Sequence, residues 1–300
     1  MQQSESLVST LDLHLHSTAS DGQLSPEDVV SLAARHGLKT IALTDHDSTA
    51  GVAAAIAVGN QLGLTVVPGI ELGTTVDAGE LHMLGYLLDP HDVELSARLE
   101  EFRDARDRRA ETMVERLNSA GVAIDLDRVK ELSAGGAVGR PHVARALVES
   151  GQAQSTTDAF ERYLVPGKAG YVPRFRLSPT RAIDMIHSAG GVAVLAHPFS
   201  VSDLDSTLSE LILGGLDGLE VFYSLYNDEQ QSLLAALADR HGLVPTGGSD
   251  FHGFGEREGH DIGSAVVPAD TVDRLRAVAR RREKRQRCNV SERDYRRFTG

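Results

Sequence analysis

At 300 residues, 41% hydrophobic and 24% charged, the chain has an ordinary globular composition, long enough for one large α/β domain or two of average size. No apolar run approaches the roughly 18 residues of a membrane span, the opening MQQSESLVST lacks the basic and apolar regions of a signal peptide, and a single Cys288 excludes a disulfide framework and a thiolate metal site, so a cytoplasmic protein with no membrane partner is expected. The net charge of −13 divides into +8 over residues 274–300 and −21 over the rest, an acidic body that repels nucleic acid, duplex DNA included, unless bound cations neutralise it.

Short β-branched or apolar runs alternate with helical patterns, and the βαβα rhythm predicts a mostly parallel sheet. The first strand is predicted over 10–14 and runs through Asp12-Leu13-His14-Leu15-His16. Residues two apart in a strand point the same way, so His14 and His16 can grip one ion. Asp21 follows in a Ser-Asp-Gly turn. Ser25-Pro26-Glu27-Asp28 opens a helix with a capping serine and proline in the first turn, and Gly37 stops it after Arg35-His36. A second strand, 40–44, runs into Asp45-His46-Asp47. A third, 65–70, ends in Pro68-Gly69-Ile70-Glu71, and a fourth, 81–86, contains His82.

From about 93 to 176 the rhythm breaks. A long charged helix over 94–120 and shorter helices near 126–132, 141–149 and 156–163 predict a helical insertion between two barrel strands, too interleaved with the core to be a free domain. Within it, Gly139-Arg140-Pro141-His142 opens a helix, where an arginine and free backbone N–H groups together suit an anion. Arg140 is the candidate contact to substrate phosphate, and His142 is placed to hold the phosphate or protonate a leaving group. Lys168, in a Pro-Gly-Lys-Ala-Gly loop, is a further candidate cation.

Leu177-Ser178-Pro179 opens the next helix, which ends at His187-Ser188-Ala189-Gly190. Strands are predicted over 192–196, running into His197-Pro198; over 216–222; over 244–247, followed by Ser249-Asp250-Phe251-His252; and over 264–267. A last helix and a disordered basic tail, 283–300, complete a discontinuous barrel of residues 8–92 and 177–282.

Nearly every histidine and carboxylate singled out sits at the carboxyl end of a predicted strand. In a parallel barrel those ends converge on one face, so groups far apart in sequence can meet. Imidazole and carboxylate without thiolate suit Zn, Mn or Fe rather than Ca or Mg alone. A lone strand-end histidine is more often structural than a ligand; the whole set carries the metal reading. His36, His187 and His241 stand just before helix stops, where the helix carboxyl end favours a cation, and are assigned no chemistry. Asp45, beside His46, is placed to orient a ligand imidazole.

The motifs LDLHLHSTASDG, IALTDHD, PGIE, LHMLGY, LAHP and GGSDFHG, in this order over residues 11–253, resemble those of the PHP (polymerase and histidinol phosphatase) family. GRPHVARAL and PGKAGYVP resemble segments of its branch of small bacterial nucleotide bisphosphate phosphatases and 5′-to-3′ exoribonucleases. The resemblance implies a distorted (β/α)7 barrel binding three divalent metal ions, Mn²⁺ foremost, with Fe²⁺, Zn²⁺ or Mg²⁺ as alternatives. Carried over residue by residue, it gives the first metal His14, His16, Glu71 and Asp250; the second Glu71, His82 and His197; and the third Asp21, His46 and His252. Glu71 would bridge two ions and fix their separation, the arrangement two-metal sites use to clamp attacking and leaving oxygens.

The expected function is hydrolysis of a phosphomonoester in a small nucleotide, with a 3′,5′-bisphosphonucleotide as leading substrate and a nucleoside 5′-phosphate and phosphate as products. The alternatives are 5′-to-3′ cleavage of short RNA, hydrolysis of histidinol phosphate, and a non-catalytic metal-stabilised module of the kind attached to some polymerases.

Overall fold

The computed structural model describes residues 10–76, 79–133, 138–173, 177–253 and 259–298. Residues 1–9, on which the signal-peptide reading largely rests, lie outside them. No helix among the described residues is long and apolar enough to cross a membrane.

Among the described residues, seven strands form one mixed sheet, nearly closed into a barrel: β1 (Leu11–Leu15), β2 (Thr40–Leu43), β3 (Thr65–Val76), β4 (Gly79–Tyr86), β5 (Val192–Leu195), β6 (Gly218–Tyr223) and β7 (Val244–Gly248), in that order. β1–β2–β3 and β5–β6–β7 pair in parallel, whereas β4 runs antiparallel to both β3 and β5. A mostly parallel sheet was expected; the reversal follows from the connection. Val76 and Gly79 are paired across a two-residue link, which can join only antiparallel strands, because a parallel pair needs a long crossover.

The seam between β1 and β7 is closed by few ladder bonds and many polar ones. Leu15 bridges Phe251 in parallel. The buried Asp12 carboxylate accepts from the Ser249 backbone N–H (2.9 Å), the Ser249 hydroxyl (2.7 Å) and the Gly263 N–H (2.8 Å). A Cβ on Gly248 would stand 2.4 Å from the His14 backbone nitrogen, so only glycine lets β7 approach this closely. The strand predicted over 264–267 does not form, since both barrel edges are already engaged. That segment instead buries Ala265 and Val267 under the sheet.

Helices α1 (Pro26–Arg35), α2 (Val52–Leu62), α7 (Pro179–Ser188), α8 (Leu204–Leu213), α9 (Asp228–His241) and α10 (Thr271–Phe298) accompany the strands. Ser25 caps α1 and Ser178 caps α7, each accepting a backbone N–H three residues on. The Arg-rich stretch expected as a tail continues α10 as far as Phe298.

Between β4 and β5 lie α3 (Val93–Ser119), α4 (Leu126–Leu132), α5 (Arg140–Glu149) and α6 (Thr156–Ala159), the last running into a π-helical turn over Phe160–Leu164. α3 belongs to two cores. Leu95, Leu99 and Phe102 pack with the barrel strands, while Ala110, Met113 and Leu117 pack with α4, α5 and α6. This continuity sets α5 at a fixed place over the barrel rim.

Candidate metal centre

One carboxylate organises the site. Glu71 is buried in β3, and its Oε1 lies 2.8 Å from His82 Nδ1 and 3.2 Å from His197 Nε2. Its Oε2 lies 3.0 Å from His46 Nδ1, 3.2 Å from His16 Nε2 and 3.4 Å from His14 Nε2. Asp250 Oδ1 approaches His16 and His14 as well, at 3.2 and 3.4 Å. Asp21 Oδ1 stands 3.4 Å from His252 Nε2. The strand ends thus bring together all nine residues read from the sequence. His82 reaches them because β4 is reversed, which puts the beginning of this strand, not its end, at the rim where its neighbours finish.

Among the described residues, three groups are compact enough to hold an ion: His14, His16, Glu71 and Asp250; His16, Asp21, His46 and His252; and His46, Glu71 and His82. The first matches the expected set, and the second adds His16 to the expected third set. In the last, His46 stands where His197 was expected, while His197 remains against the other face of Glu71.

The donors fit a cation. His14 Nε2, both nitrogens of His16, His46 Nδ1, His252 Nε2 and Glu71 Oε2 are buried with no hydrogen-bond partner among the described residues, although buried polar atoms are normally paired. All point into these groups. Charge agrees. Burial works against ionised Glu71, Asp250 and Asp21, yet the surrounding imidazoles hold all three well below the carboxylate range. Burial likewise opposes a charged His16, but Asp250 and Glu71 lift it to about 10, and Glu220, Asp250 and Glu71 hold His14 well above its ordinary value. Burial keeps His46 neutral.

Several supporting residues were not read from the sequence. Glu220, fully buried in β6, accepts from His14 Nδ1 at 2.9 Å and from the His197 backbone N–H at 2.7 Å. Its signal was a carboxylate inside the apolar run Gly218-Leu219-Glu220-Val221-Phe222, a placement that is costly unless paired. Tyr223 donates to Asp250 Oδ2 at 2.9 Å. Asp45 does not hold an imidazole as expected. It accepts from the Ser17 N–H (2.7 Å), the Ser17 hydroxyl (2.7 Å) and the Ser20 hydroxyl (2.6 Å), and so folds the loop that presents Asp21. Asp47, His197 and Asp250 all have positive φ, at 47°, 27° and 55°, backbone strain concentrated at the site.

Two clefts open on the centre. One, of about 370 Å³, is walled by His46, Glu71, His82, His197 and Asp250 on one side and by Phe199, Tyr223 and Tyr226 on the other. The second, about 220 Å³, shares His46 and His82, adds Asp21, and is closed by Arg106, Arg109, Arg140 and His142 from the α3–α5 region. Arg106 and Arg109 were missed, being two of many arginines on a charged helix; Arg106 pairs with Asp47, and Arg109 Nε donates to the Val172 carbonyl at 2.8 Å. Arg140 donates to Glu80 at 2.7 Å and lies over the Phe160 ring. His142 accepts the Gly139 N–H on Nδ1 at 2.9 Å, and burial, then Arg145, lowers its pKa to about 4. A ring so neutral can donate from Nε2 but is a poor source of a proton for a leaving group. Lys168 is exposed and lines neither cleft.

An α/β barrel with a histidine–carboxylate cluster on its rim, able to bind metals, defines a metal-dependent hydrolase. Residues 12–164 match the PHP domain. The chain is 40% identical over 247 residues to the 5′-3′ exoribonuclease Rnm of Escherichia coli, covering 80% of this chain and 84% of that one. It is 37% identical over 262 residues to the 3′,5′-nucleoside bisphosphate phosphatase of Chromobacterium violaceum, covering 85% and 91%. A solved structure from Bifidobacterium adolescentis, described as that of a metal-dependent phosphoesterase, superposes with a TM-score of 0.81 at 35% identity, over 88% of this chain and 94% of that one. The chain belongs to the PHP family, and it is a phosphoesterase.

Proposed function

We propose that this phosphoesterase removes the 3′-phosphate from small 3′,5′-bisphosphonucleotides, leaving a nucleoside 5′-phosphate, and that it uses three divalent metal ions, Mn²⁺ foremost, in the cytoplasm. His14, His16, Asp21, His46, Glu71, His82, His197, Asp250 and His252 would hold the metals. When bound, such ions supply a nucleophile at neutral pH and neutralise charge on the phosphoryl group. The protein's own residues do the rest. Glu71 would be held by both faces of its carboxylate at the centre of the set, Glu220 and Tyr223 fix the orientation of His14 and Asp250, and Phe199 and Tyr226 offer faces on which a base can stack.

One observation carries the reading: the arginine-lined cleft adjoins the metal cleft across a shared wall of His46 and His82. A substrate with one phosphate at the metals therefore has a cationic pocket for a second. Arg140, Arg106 and Arg109 would receive that anion, with neutral His142 donating from Nε2, and Arg140 would exchange Glu80 for the phosphate.

The same pair of clefts supports a second reading. The 5′-terminal nucleotide of a 5′-phosphorylated RNA also carries a 5′-phosphate and a 3′-phosphoryl group, so 5′-to-3′ cleavage would use the same contacts, as the name of the Escherichia coli relative indicates for that enzyme. Purified protein with Mn²⁺ should be offered adenosine 3′,5′-bisphosphate, AMP, histidinol phosphate and a 5′-phosphorylated RNA oligomer, with the products separated by chromatography. Phosphate and AMP released from the bisphosphate, with kcat/KM highest there, is the expected result. Nucleotide release from RNA with the higher kcat/KM would make the exoribonuclease reading the correct one.

A further inference from the structure

The end of the barrel away from the metals also carries a cleft, about 380 Å³, where the chain enters β6 and β7 beneath α10. Leu216, Leu243 and Val278 give it an apolar wall. Arg281, Arg282 and Arg285 border it from α10, with His241 opposite. Arg281 and Arg285, four apart on one helix, are like-charged neighbours and repel, a repulsion that an anion between them would relieve.

Arg282 is held rigidly. Its Nη2 donates to the Asp217 carboxylate and its Nη1 to His187 Nδ1 at 2.9 Å, while His187 Nε2 donates to the other Asp217 oxygen at 2.8 Å. Asp217 also accepts the Ala193 N–H at 3.0 Å, at the start of β5. The carboxylate in the lining is therefore saturated by donors and cannot neutralise further charge. Arg282 Nε is buried with no hydrogen-bond partner. Arg281 and Arg285 make no ion pair among the described residues and are exposed. The result is a fixed guanidinium, two exposed ones and an apolar wall, in a space that would take a mononucleotide.

We infer that this cleft is a second ligand site, distinct from the catalytic one, for a phosphorylated small molecule of nucleotide size. Arg281 and Arg285 hold the phosphate, with the fixed Arg282 guanidinium adding positive charge beside them, and the ring portion lies against Leu216, Leu243 and Val278. It lies at the opposite ends of the strands from the metal cluster, so its occupant is not hydrolysed there.

The test is hydrogen–deuterium exchange of the metal-loaded full-length protein with AMP, inorganic phosphate or adenosine, read peptide by peptide, alongside Arg281→Ala/Arg285→Ala. AMP should protect peptides covering 212–217, 241–244 and 278–285 in the wild type, and adenosine should not. In the double variant that protection should need AMP concentrations on the order of tenfold higher, with kcat/KM on the phosphoesterase substrate unchanged. High salt should weaken it, as these arginines are exposed. Protection by AMP at the metal-centre peptides alone overturns the inference. Equal protection by inorganic phosphate and AMP overturns the nucleotide part and leaves an anion site. Protection of the distal peptides by single-stranded RNA but not by AMP would replace the site with a polyanion surface on α10.

Discussion

Glu220 accepts His14 Nδ1–H through one carboxylate oxygen at 2.9 Å and the backbone N–H of His197 through the other at 2.7 Å. The first contact fixes the tautomer of His14, leaving Nε2 free to face Glu71 and Asp250. The second holds a residue at φ 27°. A glutamine at 220 can accept only one of these N–H groups and must turn its own N–H₂ towards the other. Glu220→Gln should weaken metal binding on the order of 10–100-fold, with activity largely recovered at high metal concentration. Metal titration of kcat is the measurement, and an unchanged titration would make Glu220 merely structural.

Metal content and its pH dependence follow from the same cluster. Saturated protein should hold three divalent ions per chain by elemental analysis, and a saturated value below three would remove the trinuclear assignment. His16, at about 10, and His14, raised by Glu220 and its neighbours, carry protons at neutral pH until a cation replaces them. Loading must therefore release protons, and affinity must rise with pH. Calorimetric titration in two buffers of different ionisation heat reads the number released.

Glu71 touches five imidazoles, so its loss cannot be local. Glu71→Gln should lower kcat by on the order of 10²–10⁴, the equivalent of several kcal/mol. His36 is exposed at the end of α1, and His36→Gln should stay within a few-fold of wild type. Equal effects from the two would undo the separation of ligands from scaffold.

On the proposed reading, Arg140 would distinguish one phosphate from two. A charge-assisted contact contributes roughly 1.5–3 kcal/mol, so Arg140→Ala should cut kcat/KM on a bisphosphonucleotide by about 10–150-fold. An aryl phosphate has no second anion and should lose much less. Similar losses on both substrates would place Arg140 on the transferred phosphate.

His142 links the same cleft to stability. Its folded pKa is about 4, against about 6.5 in an unfolded chain. The neutral buried ring therefore contributes fully above about 6.5, progressively less as pH falls, and nothing below about 4, a span on the order of 3 kcal/mol. Asparagine can keep the acceptor for the Gly139 N–H and does not titrate. The stability gap between wild type and His142→Asn, from denaturant unfolding, should narrow by up to that amount between pH 7 and pH 4.

The sequence exposed the first ring of this site and concealed the second. Histidines and carboxylates at strand ends announce themselves, because each would be hard to bury singly and together they share one rim. Glu220 looked like one odd letter in a strand, and its value depends on β6 lying beside His14, which no local pattern encodes. Asp45 shows the converse. Adjacency to His46 suggested a partner, but neighbouring residues in an extended segment face opposite ways, and Asp45 turned to Ser17 and Ser20 instead. Strand direction was hidden for a different reason. β3 and β4 extend beyond their predicted limits until a two-residue link separates them, and that link, not their composition, dictates the reversal. Of the histidines that read as mere helix ends, His241 borders the far cleft and His187 holds Arg282 and Asp217 in its lining.

The seam has a consequence for how the protein comes into being. His14 and His16 are among the first ordered residues to be made, whereas Asp250 and His252 arrive only after β7. Every compact ligand group but one draws on both ends of this interval. A chain still under synthesis can therefore gather only partial groups, such as His14–His16–Glu71 or His46–Glu71–His82, and the full sets wait for β7. A metal held by the complete sets would clasp the first strand to the last.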